Sequence, residues 1–261
     1  MSQAMGSRRM AGKVAVVAGA ATGIGRASAL RLAEEGAAIV AGSPAGEKAL
    51  IDDLVSQIGQ SGGRATGCVF DATDDASVAA LIDAAMAAYG GIDAVHANFA
   101  DLRIIFEDSD AISVTDAVLE RTLDVNLKGM MRITRHALPR LQQRGGGAMI
   151  YTSSTAAIAG EDTRPCYAMA KSGVNALVRH VASRWGKEGI RANAIMPGLV
   201  ITPEKRETMP KDFQAQVLAE GRSQRLGEPE DIAAMVALLA SRDGEWINGQ
   251  CIAVDGGATL S

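Results

Sequence analysis

KVAVVAGAATGIGRASALRLAEEG, Lys13–Gly36, is the stretch whose reading decides the fold. Its first half, KVAVVAG, is a continuous apolar run without polar alternation, the pattern of a strand buried on both faces of a parallel sheet. Its second half changes to helical periodicity, and the two are joined by Gly19, Gly23 and Gly25 in the spacing Gly-x-x-x-Gly-x-Gly. Each glycine has a separate reason to be there. Gly19 permits a tight turn, Gly23 lets backbone amides approach a pyrophosphate, and Gly25 lets the helix pack closely on the strand, with the anion held at the helix N-terminus. A glycine triplet alone is equally an ordinary loop; between an apolar strand and an amphipathic helix it reads as a nucleotide site.

Outward from this unit the strand-helix alternation continues to the end of the chain. AAIVAG is a second strand ending near Gly42–Ser43, followed by a helix to about Ser61. RATGCVF is a third strand, leading to a helix from Asp74 to Tyr89, and IDAVHA is a fourth. An amphipathic helix spans about Thr115 to Gln143, and Gly145–Gly147 turns into the fifth strand. A helix entered at Pro165, a sixth strand in IRANAIMPGLVITP, a helix with Pro229 in its first turn and a seventh strand in INGQCIAVDGG complete the series. No repeat or linker interrupts it. The expected fold is therefore α/β, a doubly wound seven-stranded parallel sheet of order 3-2-1-4-5-6-7 with right-handed crossovers and ligands at the carboxyl ends of the strands. Residues 1–10 read as a mobile tail and 11–261 as one domain.

A net charge of −4, with the charges interspersed, provides no basic field for nucleic acid or an anionic membrane, which leaves small solutes as the expected partners. No apolar run reaches the ~18 residues of a membrane span, and MSQAMGSRRM lacks the hydrophobic core of a secretory signal, so a cytoplasmic protein is expected. Cys68, Cys166 and Cys251 are odd in number and lack a CxxC pair, which argues for reduced thiols. Cys166 adjoins Tyr167, so it is either a packed small residue or a thiol with a role. His96, His136 and His180 are scattered, and no metal site is expected.

The candidate chemistry lies in MIYTSSTAAIAGEDTRPCYAMAK, Met149–Lys171. Positions 167, 171, 174, 178, 181 and 185 recur at helical steps, which stacks Tyr167 and Lys171 one turn apart. An ammonium beside a phenol stabilises the phenolate and lowers the tyrosine pKa from about 10, as a tyrosine acid/base requires near neutral pH. Ser154 closes the preceding strand, where its hydroxyl can bond the same substrate oxygen. Tyr-x-x-x-Lys by itself is usually a surface pair. Here Ser154 stands thirteen residues before Tyr167, Asn126 lies in VNLKG, and the glycine turn follows the first strand. Together these resemble the short-chain dehydrogenase/reductase family with its Asn-Ser-Tyr-Lys tetrad, over about Gly12 to Gly257.

The resemblance implies a Rossmann-like fold and a nicotinamide cofactor, NAD(P), carrying hydride between a secondary alcohol and a ketone. It implies catalytic roles for Asn126, Ser154, Tyr167 and Lys171, with Asn126 interrupting regular helical bonding to support a proton path. It places Gly19, Thr22, Gly23, Ile24 and Gly25 on the pyrophosphate, Asp71 and Ala72 at the adenine, and Asn98 between neighbouring strands. Tyr167 and Lys171 fall at the ribose, and Pro197, Gly198, Val200 and Thr202, with the Ile195 backbone, at the nicotinamide. Asp71 is equally readable as a helix cap, Thr202 as the start of a helix, and Asn126 as a core asparagine satisfied by a backbone carbonyl. At the end of the second strand, Ser43-Pro44 supplies neither the acid that favours NAD nor the base that favours NADP. With Lys48 and Arg64 as nearby cations, the reading leans towards NADP.

Two departures stand out. Ala18 occupies a place where the family most often has threonine, and Ala97-Asn98-Phe99-Ala100 stands where it has Asn-Asn-Ala-Gly. The second keeps an alternative open, a non-catalytic dinucleotide-binding regulator or scaffold. The loop Asp101–Ser113 reads as solvated, and residues 203–222 occupy the place of a substrate lid. Arg103, Arg164, Glu204 and Lys205 form a polar rim that suits a sugar, polyol or acyl thioester equally. Apolar residues on more than one face of two helices (Val118, Leu119, Leu123, Met130, Ile133 and Leu138; Val174, Leu177, Val178 and Val181) lead to an expected homotetramer of 222 symmetry, with the dimer as the minimum active unit.

Overall fold

The computed structural model describes residues 8–260. β1 (Val14–Ala18) runs through the glycine turn into α1 (Gly23–Glu34), and β2 (Ala38–Ser43), α2 (Lys48–Gln60), β3 (Arg64–Val69), α3 (Asp75–Tyr89) and β4 (Ala94–Ala97) complete the first half. α4 (Asp116–Leu123) and α5 (Gly129–Arg144) are joined without a break by a π-helical turn, Asp124–Lys128. β5 (Gly147–Thr152), α6 (Pro165–Trp185), β6 (Ile190–Pro197), α7 (Pro203–Thr208), α8 (Lys211–Glu220), α9 (Pro229–Ala240) and β7 (Cys251–Val254) follow. All six strand pairs are parallel, and the sheet order is β3-β2-β1-β4-β5-β6-β7, the doubly wound Rossmann arrangement read from the sequence.

Successive strand residues point to opposite faces, and this divides β1 between two cores. Val14, Val16 and Ala18 join the apolar residues of α3, α5 and α6 on one face, whereas Ala15 and Val17 meet those of α1, α2 and α9 on the other. Val118, Met130, Ile133, Leu138, Val174, Leu177, Val178 and Val181 are all buried within the single chain. Leu119 and Leu123 are half-buried, and Met131 on α5 is exposed.

Two local readings need correction, and Thr202 starts a helix as its alternative reading expects. The tail does not extend to residue 10: Met10 is buried and the Arg9 guanidinium pairs with Glu35 and Asp243, so the packed domain begins earlier, while residues 1–7 lie outside the described residues. The cap of α3 is Asp74, which accepts from the Ala76 amide, and Asp71 instead closes a turn on the Thr73 amide and hydroxyl. The charged stretch 203–222 forms α7 and α8, with the Thr202 hydroxyl accepting from the Lys205 amide at 3.3 Å to cap α7.

Candidate active site

β5 ends at Thr152, and the chain leaves the sheet through Ser153 and Ser154, at the carboxyl edge where an open α/β sheet has its crevice. Ser154 caps a short 3-10 turn, accepting from the Ala156 amide at 3.1 Å, and its hydroxyl stands near enough to the Tyr167 phenol to favour the phenolate. Tyr167 lies in the first turn of α6, half-buried, after Pro165 at the helix start. One turn on, Lys171 is almost wholly buried, its Nζ donating to the Thr152 carbonyl at 2.9 Å and lying 5.5 Å from the Tyr167 ring centre. Ser153 ties the same helix to the sheet, its hydroxyl donating to the Lys171 carbonyl at 3.2 Å.

The electrostatics differ from the sequence expectation. Burial raises the Tyr167 phenol above its ordinary value, outweighing the Ser154 hydrogen bond and the nearby Arg164 cation, which lower it, while Glu161 adds to the rise. Burial also pushes the Lys171 ammonium down, to about 8. Lys171 does not depress the phenol here because its ammonium is turned onto a backbone carbonyl and itself stands in a medium that disfavours charge.

What holds the start of α6 was not visible in the sequence. Asp108, in the loop assigned to solvent, is 2% exposed, and its carboxylate accepts from the amides of Cys166 (3.2 Å) and Tyr167 (2.8 Å). Arg164 takes a left-handed conformation, φ 65°, with its amide donating to the carbonyls of Asp108 and Ser109. A cap normally precedes its helix directly; this one comes from 58 residues upstream, so no local pattern announces it. Cys166 is buried beside it, and burial raises its thiol to about 11, which fits a packed residue rather than a reactive thiolate.

Asn126 sits at the centre of the π turn, fully buried. Its Nδ2 donates to the Thr122 carbonyl at 3.1 Å, as the core reading expects, whereas its Oδ1 has no partner among the described residues. The interruption of regular helical bonding that the resemblance implied is present at this residue.

The glycine turn beside these side chains fits the phosphates of a dinucleotide. Gly19 has φ 87°, and a Cβ on Gly25 would lie 1.8 Å from the Gly19 carbonyl oxygen, so neither tolerates a side chain. Thr22 precedes α1 with no side-chain cap, and Gly23 and Ile24 open the helix, so the first-turn amides have no side-chain acceptor. Asn98 bridges the strands, its Nδ2 donating to the Gly19 carbonyl at 3.1 Å and its Oδ1 accepting from the Thr152 hydroxyl at 2.8 Å. Phe99 does not intrude: its ring turns into the core, edge-on to Phe70 at 5.6 Å, in space left open by Gly129.

Ser43 is not presented to a ribose. It is buried, and its hydroxyl accepts from the Ala21 amide at 3.0 Å, bracing the glycine turn instead. Lys48 pairs with Asp52 and Arg64 lies over the Tyr89 ring, so both candidate cations are already engaged. Asp71 is exposed beyond β3 with Ala72 buried behind it. Ile195 is interior to β6, its carbonyl taken by the Ser153 amide, so the open backbone begins after Pro197. Gly198 packs against Asp255, Val200 bridges to Gly227 and Thr202 caps α7, which leads the chain over this end of the sheet.

Fold and groove together define a dinucleotide-binding α/β protein of the Rossmann type. The family model described as enoyl-(acyl carrier protein) reductase matches residues 19–259. The chain is 38% identical to cis-4-hydroxycyclohexanecarboxylate dehydrogenase of Sinomonas cyclohexanicum, over 95% of this chain and 96% of that one. It is 36% identical to a probable short-chain type dehydrogenase/reductase of Bradyrhizobium diazoefficiens, over 95% and 88% respectively. A solved 7α-hydroxysteroid dehydrogenase in complex with NADH and 7-oxo glycochenodeoxycholic acid superposes with a TM-score of 0.89, 27% identity and full coverage of both chains. The chain belongs to the short-chain dehydrogenase/reductase family.

Proposed function

We propose that this protein is an NAD(P)-dependent oxidoreductase that interconverts a secondary alcohol and a ketone, with Tyr167 as the acid/base. The observation that carries the reading is the convergence of the Ser154-Tyr167 pair and the buried Lys171 on the carboxyl edge of β5, beside the glycine turn. The bound dinucleotide supplies hydride transfer at the nicotinamide; the remaining roles belong to the chain. Gly19, Thr22, Gly23, Ile24 and Gly25 hold the pyrophosphate, Asp71 and Ala72 border the adenine, Lys171 and Tyr167 hold the ribose, and Pro197, Gly198, Val200 and Thr202 border the nicotinamide. The Tyr167 phenol, raised by burial, rests protonated at neutral pH and is poised to donate to a carbonyl oxygen that Ser154 orients. Asn126, with its unmatched Oδ1 in the π turn, supports the return of that proton towards Lys171.

No carboxylate ends β2 to repel a 2′-phosphate. Both dinucleotides are accordingly accepted, NADPH at least as tightly as NADH. The regulator alternative rests on the altered Ala97–Ala100 segment, and the inward packing of the Phe99 ring weighs against it. The substrate is a small alcohol or ketone, and a cytoplasmic setting is part of the same proposal. The test is a thermal-shift and nicotinamide-absorbance screen of NAD(H) and NADP(H) against hydroxycyclohexanecarboxylates, hydroxysteroids, polyols and 3-oxoacyl thioesters. Dinucleotide-dependent turnover of one class supports the assignment, whereas dinucleotide binding without turnover of any class favours the regulator.

A further inference from the structure

His96 lies in the middle of β4, 1% exposed, between apolar neighbours on its own strand. Its Nε2 is 2.9 Å from the Thr152 hydroxyl on the neighbouring strand β5. A chain of hydrogen bonds fixes the direction of every proton in this contact. The Gly19 carbonyl is an acceptor only, so the Asn98 amide presents Nδ2 to it and Oδ1 to Thr152. Oδ1 is also an acceptor only, so the single Thr152 hydroxyl proton is spent on it, at 2.8 Å. The Thr152 oxygen is then left to accept, and Nε2 of His96 must carry the proton. Nδ1, the other ring nitrogen, is buried and has no partner among the described residues. The polar cost of placing this ring in the core is thus borne at one nitrogen while the other completes a chain that ends on the glycine turn.

Thr152 is the branch point, because its carbonyl is also the acceptor for Lys171 Nζ, at 2.9 Å. We infer that His96 is a positioning residue, locking Thr152 so that one strand end holds both the Asn98–Gly19 clasp of the dinucleotide turn and the seat of Lys171. This rests on the proposed dinucleotide site for its functional consequence but not for its geometry. Removing the Nε2 donor leaves the Thr152 hydroxyl free to rotate, and the Asn98 amide then loses the partner that sets its orientation.

The geometry is read directly by histidine-selective 15N NMR of the unmodified protein at neutral pH, which is expected to show one ring locked as the neutral Nε2–H tautomer. An Nδ1–H tautomer or an imidazolium at His96 would overturn the inference, whatever the enzyme does. Its consequence is read by NADPH titration, followed by nicotinamide fluorescence, of His96→Val, Thr152→Val and the double variant. Each single change is expected to weaken binding about fivefold, and the double change no further than the worse single, since both cut one chain. His96→Gln, whose amide keeps a donor, is expected to recover affinity to within about twofold. Multiplicative losses, or no rescue by glutamine, would refute the positioning role. If the unmodified protein binds no dinucleotide, the functional reading fails, and the Gly19 amide resonance in His96→Val replaces the titration: a displaced resonance supports the clasp and an unmoved one refutes it.

Discussion

Replacing Lys171 with methionine tests whether the lysine is held at the site against its own preference. Lys171 is 1% exposed, and burial brings its ammonium down from the ordinary 10.5 to about 8. At about pH 7 that shift makes burying the charged form cost about 3 kcal/mol. The sign follows from proton binding. Between the two pKa values the unfolded chain holds the proton and the folded chain has released it, so stability rises with pH through this window. Methionine of similar length carries no such dependence. Between about pH 7 and about pH 9.5 the wild type is therefore expected to gain about 2 kcal/mol relative to Lys171→Met, other titrating groups cancelling in the difference. Urea unfolding of both proteins without dinucleotide at the two pH values measures it. Parallel stabilities across that range would refute the buried, destabilised ammonium.

Asp108→Ala strips the amides of Cys166 and Tyr167 of their acceptor; a loss of about 1–2 kcal/mol by urea unfolding is expected, with kcat falling about tenfold and the dinucleotide KM little changed, and Asp108→Asn intermediate. Gly129→Ala places a Cβ 2.9 Å from the Phe99 ring and 3.1 Å from the Ala72 carbonyl, so a loss of about 1–3 kcal/mol is expected, relieved in part by adding Phe99→Leu. For assembly, a tetramer with the dimer as its smallest active form is expected by light scattering, supported by the full exposure of Trp246 and the half exposure of Met131 on α5. An active species of 27.0 kDa would contradict it.

The sheet order was legible because most of the strands are predominantly apolar and the helices begin at recognisable signals, Pro165 and Pro229 among them. The proposed tetrad stood out in the sequence because Ser154 lies thirteen residues before Tyr167, Lys171 one helical turn after it, and Asn126 within VNLKG. What escaped is long-range. Asp108 caps a helix far along the chain, Ser43 turns its hydroxyl inward to Ala21, and Phe99 finds room only because Gly129 stands opposite. His96 read as a scattered histidine because Thr152, its partner, is on another strand. The direction of the Tyr167 shift escaped for a different reason: spacing places Lys171 one turn away but says nothing about how deeply both groups are buried.

In the proposed reaction the Tyr167 phenol moves the proton. Tyr167→Phe deletes one oxygen and leaves the ring, so the fold and dinucleotide affinity are expected to stay as they are. Turnover of whichever alcohol or ketone the wild type accepts is expected to fall about 100-fold or more, the usual scale for losing a positioned acid/base. Measured by nicotinamide absorbance beside a dinucleotide titration of the same preparation, that pairing of intact binding with lost kcat is the predicted result. A phenylalanine variant that turns over at near the wild-type rate would contradict the account.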